Sequence, residues 1–171
     1  TYAALFYRPE LMEKYGFSVP KTWDELVTQA QTMGEKEDIH GLLFQGEEYE
    51  GLVCNFLQFY HNLGGEVRIT DERVVFDEPI LGETLTLVRG LLHDSKVTPD
   101  DVLEHLGEDS DRLFAKGKAA FMINTQAAAM YVRSGKIGEN FALAPMPGKG
   151  ITLTGGFHLA INRRSGNPGP A

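Results

Sequence analysis

The sequence predicts an α/β domain, a layered sheet with helices on its faces, and three observations carry that expectation. Short apolar runs alternate with amphipathic segments for most of the chain: Ala3 to Tyr7, Gly41 to Phe44, Ala119 to Ile123 and Phe141 to Ala144 read as buried strands, with helical spacing between them. The chain has 171 residues, 42% of them hydrophobic, enough for one sizeable core. No internal repeat or low-complexity stretch competes with this reading.

Taken in order, Ala3 to Tyr7 is followed by Arg8-Pro9-Glu10, which opens a short helix with Leu11, Met12 and Tyr15 on its apolar face. Pro9 sits where a missing N–H does no harm, and Gly16 ends the helix. Thr22 and Glu25, three residues apart, form a capping box. The helix they start carries Trp23, Leu26, Val27, Ala30 and Met33 at helical spacing. The stretch from His40 to Val67 organises the rest. It reads as a strand to Phe44, a polar turn from Gln45 to Glu48, a helix from Tyr49 to Leu63 and a Gly64-Gly65 stop. The spacing of Leu52, Val53, Phe56, Leu57, Tyr60 and Leu63 predicts the buried face of that helix, with Cys54 as a small buried apolar residue on it.

Val67 to Thr70 and Arg73 to Phe76 form a hairpin, and Asp77 starts a helix running through Ile80, Leu85 and Leu92. Thr98-Pro99-Asp100-Asp101 reads as another helix start, and Asp109-Ser110-Asp111 precedes a short helix through Phe114. Gly117-Lys118 turns into the Ala119 strand, Ala127 to Val132 is helical, and Ile151 to Thr154 and Phe157 to Ile161 are strand-like runs around Gly155-Gly156. Residues 162–171 show no apolar periodicity, and little order is expected there.

A net charge of −8 without a run of Lys and Arg argues against nucleic acid or an anionic membrane as partner. With one cysteine there is no intramolecular disulfide. The chain starts at Thr1 and ends just after a strand-like run, so a piece of a longer protein is expected. No G-x-S-x-G, Walker loop, H-E-x-x-H or cysteine pair is present, and the histidines have no ligand spacing, so neither cofactor nor metal is expected.

The loop at the end of the Gly41 strand crowds Gln45, Glu47, Glu48, Tyr49 and Glu50 at a helix N-terminus. Two readings stand. The carboxylates cap the helix and favour its dipole, or the loop meets a ligand, as loops at the carboxyl ends of strands do. Gln45, Glu47, Tyr49, Gln126, Phe157 and His158 are the aromatic and planar polar residues at loop positions. Sugars are bound by such sets, because a weakly solvated ring face stacks on an aromatic ring while each buried hydroxyl needs a replacement hydrogen bond. The alternatives are a carbohydrate-active enzyme domain using Glu47 and Glu50 as acid and base, a binding protein for another polar solute, or an interaction module without a solute. Adjacent carboxylates such as Glu47-Glu48 point apart, against the facing pair that glycoside hydrolysis needs.

Four segments, in order, resemble the extracellular solute-binding proteins of bacterial ABC importers, of the maltose and trehalose type. They are LFYRPELMEKYGF with VPKTWDEL (Leu5 to Leu26), FQGEEYEGLVCNFLQF with LGGEV (Phe44 to Val67), LFAKGKAAFMIN (Leu113 to Asn124) and ALAPMPG with LTGGFHLAIN (Ala142 to Asn162). The resemblance implies one lobe of a type II periplasmic-binding-protein fold, the carboxy-terminal one, spanning residues 1–161, with hinge-crossing strands near 1–7 and 155–161. It implies a mono- or oligosaccharide ligand, a membrane permease and an amino-terminal lobe of the same protein as partners, no enzymatic activity, and a place outside the cytoplasmic membrane. The family's acidic and aromatic sugar contacts fall on Glu47 and Tyr49, with Gln45 alongside, and the aromatic after the paired glycines falls on Phe157. Where relatives carry a stacking tryptophan shortly after the M-x-I-N strand, this chain has Thr125, Gln126 and Ala127, which puts a maltose-like specificity in doubt.

Overall fold

The computed structural model describes residues 1–156 and 160–166. Four strands form the main sheet in the order β2 (His40–Leu43), β5 (Ala119–Thr125), β1 (Ala3–Tyr7), β6 (Ala142–Ala144). β2 and β5 run parallel, whereas β1 is antiparallel to both β5 and β6. The remaining strands, β3 (Arg68–Ile69) and β4 (Val74–Val75), make the expected hairpin.

Strand residues alternate between two cores, as a sheet covered on both faces requires. On one side Leu5, Leu42, Phe44, Phe121 and Ile123 pack with α1 (Pro9–Tyr15), α2 (Trp23–Glu37) and α3 (Glu50–Asn62). Edge-to-face rings join these layers, Trp23 to Phe59 at 5.2 Å and Phe44 to Phe59 at 5.7 Å. On the other side Phe6, Leu43 and Met122 pack with Phe114 of α5 (Gly107–Ala115) and with Ala128, Ala129 and Val132 of α6 (Ala128–Arg133).

Local signals shape the first two helices as expected. Gly16 takes the left-handed conformation after α1, with φ 67°. At α2 the Thr22 hydroxyl accepts from Glu25 N–H at 3.1 Å, and the Glu25 carboxylate accepts from Thr22 N–H.

α3 departs from its expected face. Val53 is 56% exposed, Leu52, Phe56, Leu57 and Leu63 are half-buried, and of the six apolar residues only Tyr60 is fully buried. Gly51, Asn55, Gln58, Phe59 and Asn62 go inside with it. The amides are tolerated because they find backbone partners. Asn62 donates to the Ile151 carbonyl at 2.8 Å and accepts from Ile151 N–H at 2.9 Å, and Gln58 accepts from Leu153 N–H at 2.9 Å and donates to the Ile151 carbonyl. Cys54 is exposed, not buried as expected, since it lies away from this stripe.

Other expectations are corrected by local bonding. Thr98 starts no α-helix: its hydroxyl donates to the Leu91 carbonyl at 3.2 Å, and only a 3-10 turn at Val102–Glu104 follows. α4 (Glu78–Arg89) passes at Gly90 into a π-turn through Asp94, where Ser95 N–H reaches the Gly90 carbonyl at 2.9 Å. α5 begins at Gly107, ahead of Asp109, whose carboxylate accepts from Leu106 N–H at 3.0 Å. Ile151 to Thr154 is no strand but makes one bridge, Thr154 with Tyr2. The bonding continues there, with Ala3 N–H on the Leu153 carbonyl and Gly155 N–H on the Thr1 carbonyl, so segments 1–3 and 153–155 lie side by side.

Candidate functional site

The parallel register of β2 and β5 builds the site. Leu43 is opposite Met122, so two residues later Gln45 stands beside Asn124, at the shared carboxyl ends. Gln45 Nε2 donates to Asn124 Oδ1 at 2.8 Å. Ligands of α/β sheets gather at such ends. An open cavity of about 370 Å³ lies there. One side is Gln45, Tyr49, Glu50 and Cys54, the floor is Ile123, Asn124 and Thr125, and the other side is residues 1–3 with 153–155. Its volume is that of a small-molecule site.

Tyr49 caps α3 in an extended conformation, and its ring folds back over the loop. The phenol hydroxyl donates to Gln45 Oε1, and its oxygen accepts from Gly107 N–H at 3.1 Å. The ring is held by its polar end, and the residue keeps 37% of its surface exposed. Burial raises the phenol pKa, so at neutral pH it acts as a neutral hydroxyl. Gly51 makes this possible, because a Cβ there would run into both Gln45 and Tyr49. The loop itself is anchored from below, where the His105 carbonyl accepts from Gly46 N–H at 3.1 Å and Glu47 N–H at 3.2 Å.

Of the residues singled out in the sequence, Gln45 and Tyr49 lie together on the cavity wall. Glu47 is half-buried and is not among the lining residues, and the carboxylate at the wall is Glu50. Gln126 also lies off the wall. It prolongs the β1–β5 pairing, its side-chain oxygen accepting from Tyr2 N–H at 3.0 Å and its N–H reaching the Tyr2 carbonyl at 2.9 Å. Phe157 and His158 lie outside the described residues. Asn124, Thr125 and Cys54 were not anticipated. The Asn at the end of the M-x-I-N run was a signal for the first, since a buried amide at a strand tip needs polar partners.

The site's chemistry is hydrogen bonding and stacking. Partial desolvation of its sulfur, with Glu50 nearby, raises the Cys54 pKa, which keeps it a thiol and a poor nucleophile. Among the described residues no group of three or more His, Cys, Asp or Glu could hold a metal ion. Glu47 and Glu50 do not share the cavity, so they do not face each other across a substrate bond.

A mixed sheet with helices on both faces and a cleft at the carboxyl ends of its parallel strands is one lobe of the type II periplasmic-binding-protein fold. Residues 1–171 match the profile described as bacterial extracellular solute-binding protein, and the chain belongs to that family. It is similar to a probable ABC transporter-binding protein of Deinococcus radiodurans, 34% identical over 177 residues that cover 96% of this chain and 42% of the relative. Among solved structures it is similar to maltose-bound MalE3 of T. maritima, with 40% identity and a TM-score of 0.81, covering 87% of this chain and 39% of that one. It is similar also to the GacH receptor of Streptomyces glaucescens, solved unliganded and in complex with acarbose, with 29% identity and a TM-score of 0.71, covering 86% and 37%. The chain thus spans about two fifths of the length of the relatives it matches.

Proposed function

We propose that this chain is the sugar-facing, carboxy-terminal lobe of a solute-binding protein serving an ABC importer. The observation that carries the reading is the Gln45–Tyr49 pair on the wall of an open cavity at the carboxyl ends of β2 and β5. An amide with hydrogen-bonding capacity to spare beside an anchored ring offers a sugar both of its needs, an edge for hydroxyls and a face for stacking. The side-by-side segments at Thr1 and Gly155 suit a hinge with two crossings, about which a second lobe closes on the solute and supplies the remaining contacts. The protein would act outside the cytoplasmic membrane, pass its solute to a permease, and perform no catalysis.

Thr125 at the β5 tip, with Gln126 and Ala127 after it, offers little stacking area, which favours a solute other than a long maltodextrin. Titration calorimetry on the full-length protein tests this, with maltose, trehalose, mannitol and tagatose set against amino acids and a polyamine. Binding of one or more carbohydrates or sugar alcohols, with no heat from the others, is the expected result. Binding confined to an amino acid or the polyamine would overturn the sugar reading.

A further inference from the structure

A closed ring of hydrogen bonds ties Asn124 on the cavity floor to Gln45 and Tyr49 on its wall. Asn124 is 7% exposed, and its side-chain amide is fully committed. Nδ2 donates to Asp111 Oδ1 at 2.7 Å and to the Gly107 carbonyl at 3.4 Å. Oδ1 accepts from Gln45 Nε2 at 2.8 Å and from Thr125 N–H at 2.7 Å. A primary amide has two hydrogens to give and two lone pairs to offer, so none is left over. Turned over, it would set its NH2 against two donors and its oxygen against a carboxylate and a peptide carbonyl. One orientation is allowed.

That orientation propagates. Gln45 Nε2 is committed to Asn124, so Gln45 Oε1 faces the other way and receives the Tyr49 hydroxyl. The Tyr49 oxygen then receives Gly107 N–H, and the Gly107 carbonyl receives Asn124, which closes the ring through one residue of α5. Bonds in such a ring polarise one another. Among the described residues Asp111 is the one charged side chain attached to it, and it does not line the cavity. Burial pushes its carboxyl pKa up to about 6, with Asn124 on β5 opposing and Glu108 on its own helix adding to the rise. Holding a half-buried carboxylate with a single amide partner costs stability.

We propose that Asp111 is a positioning residue for the cavity: acting through Asn124, and without meeting the solute, it reinforces the amide orientation that Thr125 N–H and the Gly107 carbonyl also favour, and so helps fix which atoms of Gln45 and Tyr49 the solute finds. With the ring closed, Gln45 keeps one N–H and one lone pair to offer, and Tyr49 keeps its ring face and one lone pair. A solute with an apolar face and a hydroxyl at its edge, a sugar or sugar alcohol, suits that set. This consequence rests on the solute-binding reading above; the ring itself does not.

The test uses the full-length protein labelled with nitrogen-15, as wild type, Asp111→Asn and Asp111→Leu. Without solute, the Asn124 NH2 signals of wild type should exchange with water about tenfold more slowly than those of an unbonded Asn, as a bond to a charged acceptor implies. They should also shift in one titration near pH 6 as Asp111 ionises. Asp111→Asn should abolish the titration yet keep the slow exchange, since an amide oxygen can still accept. Asp111→Leu should lose the slow exchange at both Asn124 and Gln45. With maltose and mannitol as probes, whichever binds wild type should bind Asp111→Leu about tenfold more weakly and Asp111→Asn nearly as wild type. Wild-type exchange at Asn124 and Gln45 in the Leu variant would overturn the proposal, as would unchanged affinity with the ring broken. If the Leu variant fails to fold, the wild-type titration decides, and an Asn124 signal that does not move between about pH 4 and pH 8 overturns it. Should wild type bind neither probe, the solute reading falls, and the exchange data still judge the positioning role.

Discussion

Two helices lie against the same face of the sheet and are held there by different means. α2 turns Trp23, Leu26, Ala30 and Met33 into the core, a mainly apolar stripe with one buried amide, Gln29 on the Ser18 carbonyl, and a capping box at its start. α3 gives that core Phe59, while its Asn55, Gln58 and Asn62 form a stripe of buried amides. Asn55 donates to the Gly51 carbonyl at 2.8 Å within the helix, whereas Gln58 and Asn62 hold the backbone of residues 151–153. An apolar stripe can fix a helix to a sheet, but it cannot satisfy the peptide groups that the pairing of a passing segment leaves open. Side-chain amides can, because each presents a donor and an acceptor at once. The polar helix therefore stands next to the cavity and positions its far wall, and the apolar helix stands behind it as scaffold.

Substitutions break this comparison in a definite order. Leu26→Ala in α2 removes a fully buried side chain and should lower unfolding free energy by about 2–5 kcal/mol in denaturant melts. Asn62→Leu in α3 swaps an amide for an apolar group of similar size, yet should cost about 1–3 kcal/mol, since the Ile151 N–H loses its acceptor and the Ile151 carbonyl is left with Gln58 as its side-chain donor. Hydrogen exchange sharpens that result: the Ile151 amide should lose protection in Asn62→Leu and keep it in Leu26→Ala at matched stability. Thr22→Ala removes only the α2 cap and should cost about 1 kcal/mol. Val53→Ser, on the exposed side of α3, should stay within about 0.5 kcal/mol of wild type. A Val53 effect as large as that of Leu26 would restore the apolar stripe and refute the amide one.

The same contrast marks what the sequence made legible. The α2 cap, the Gly16 stop and the strands at Ala3 and Ala119 are local signals, and the structure carries them as read. The buried face of α3 was not legible, because Asn and Gln count as polar until their partners are known, and Ile151 and Leu153 lie some ninety residues away. The insertion of β1 between β5 and β6 is likewise a long-range fact. At the site, the loop after β2 pointed to Gln45 and Tyr49, which share the cavity wall. Asp111 and Asn124 went unnoticed for the reason α3 did. Their roles follow from a ring of contacts among residues far apart in the chain, and no spacing encodes it.

The central claim is that a solute is gripped at the carboxyl ends of β2 and β5. Nitrogen-15 shift mapping on the full-length protein, with the tightest-binding sugar of the calorimetric panel, tests it most directly. The account predicts the largest shifts at Gln45, Tyr49, Asn124 and Thr125, with α2 little changed. Saturable binding that leaves those four signals in place and moves a different surface would contradict it.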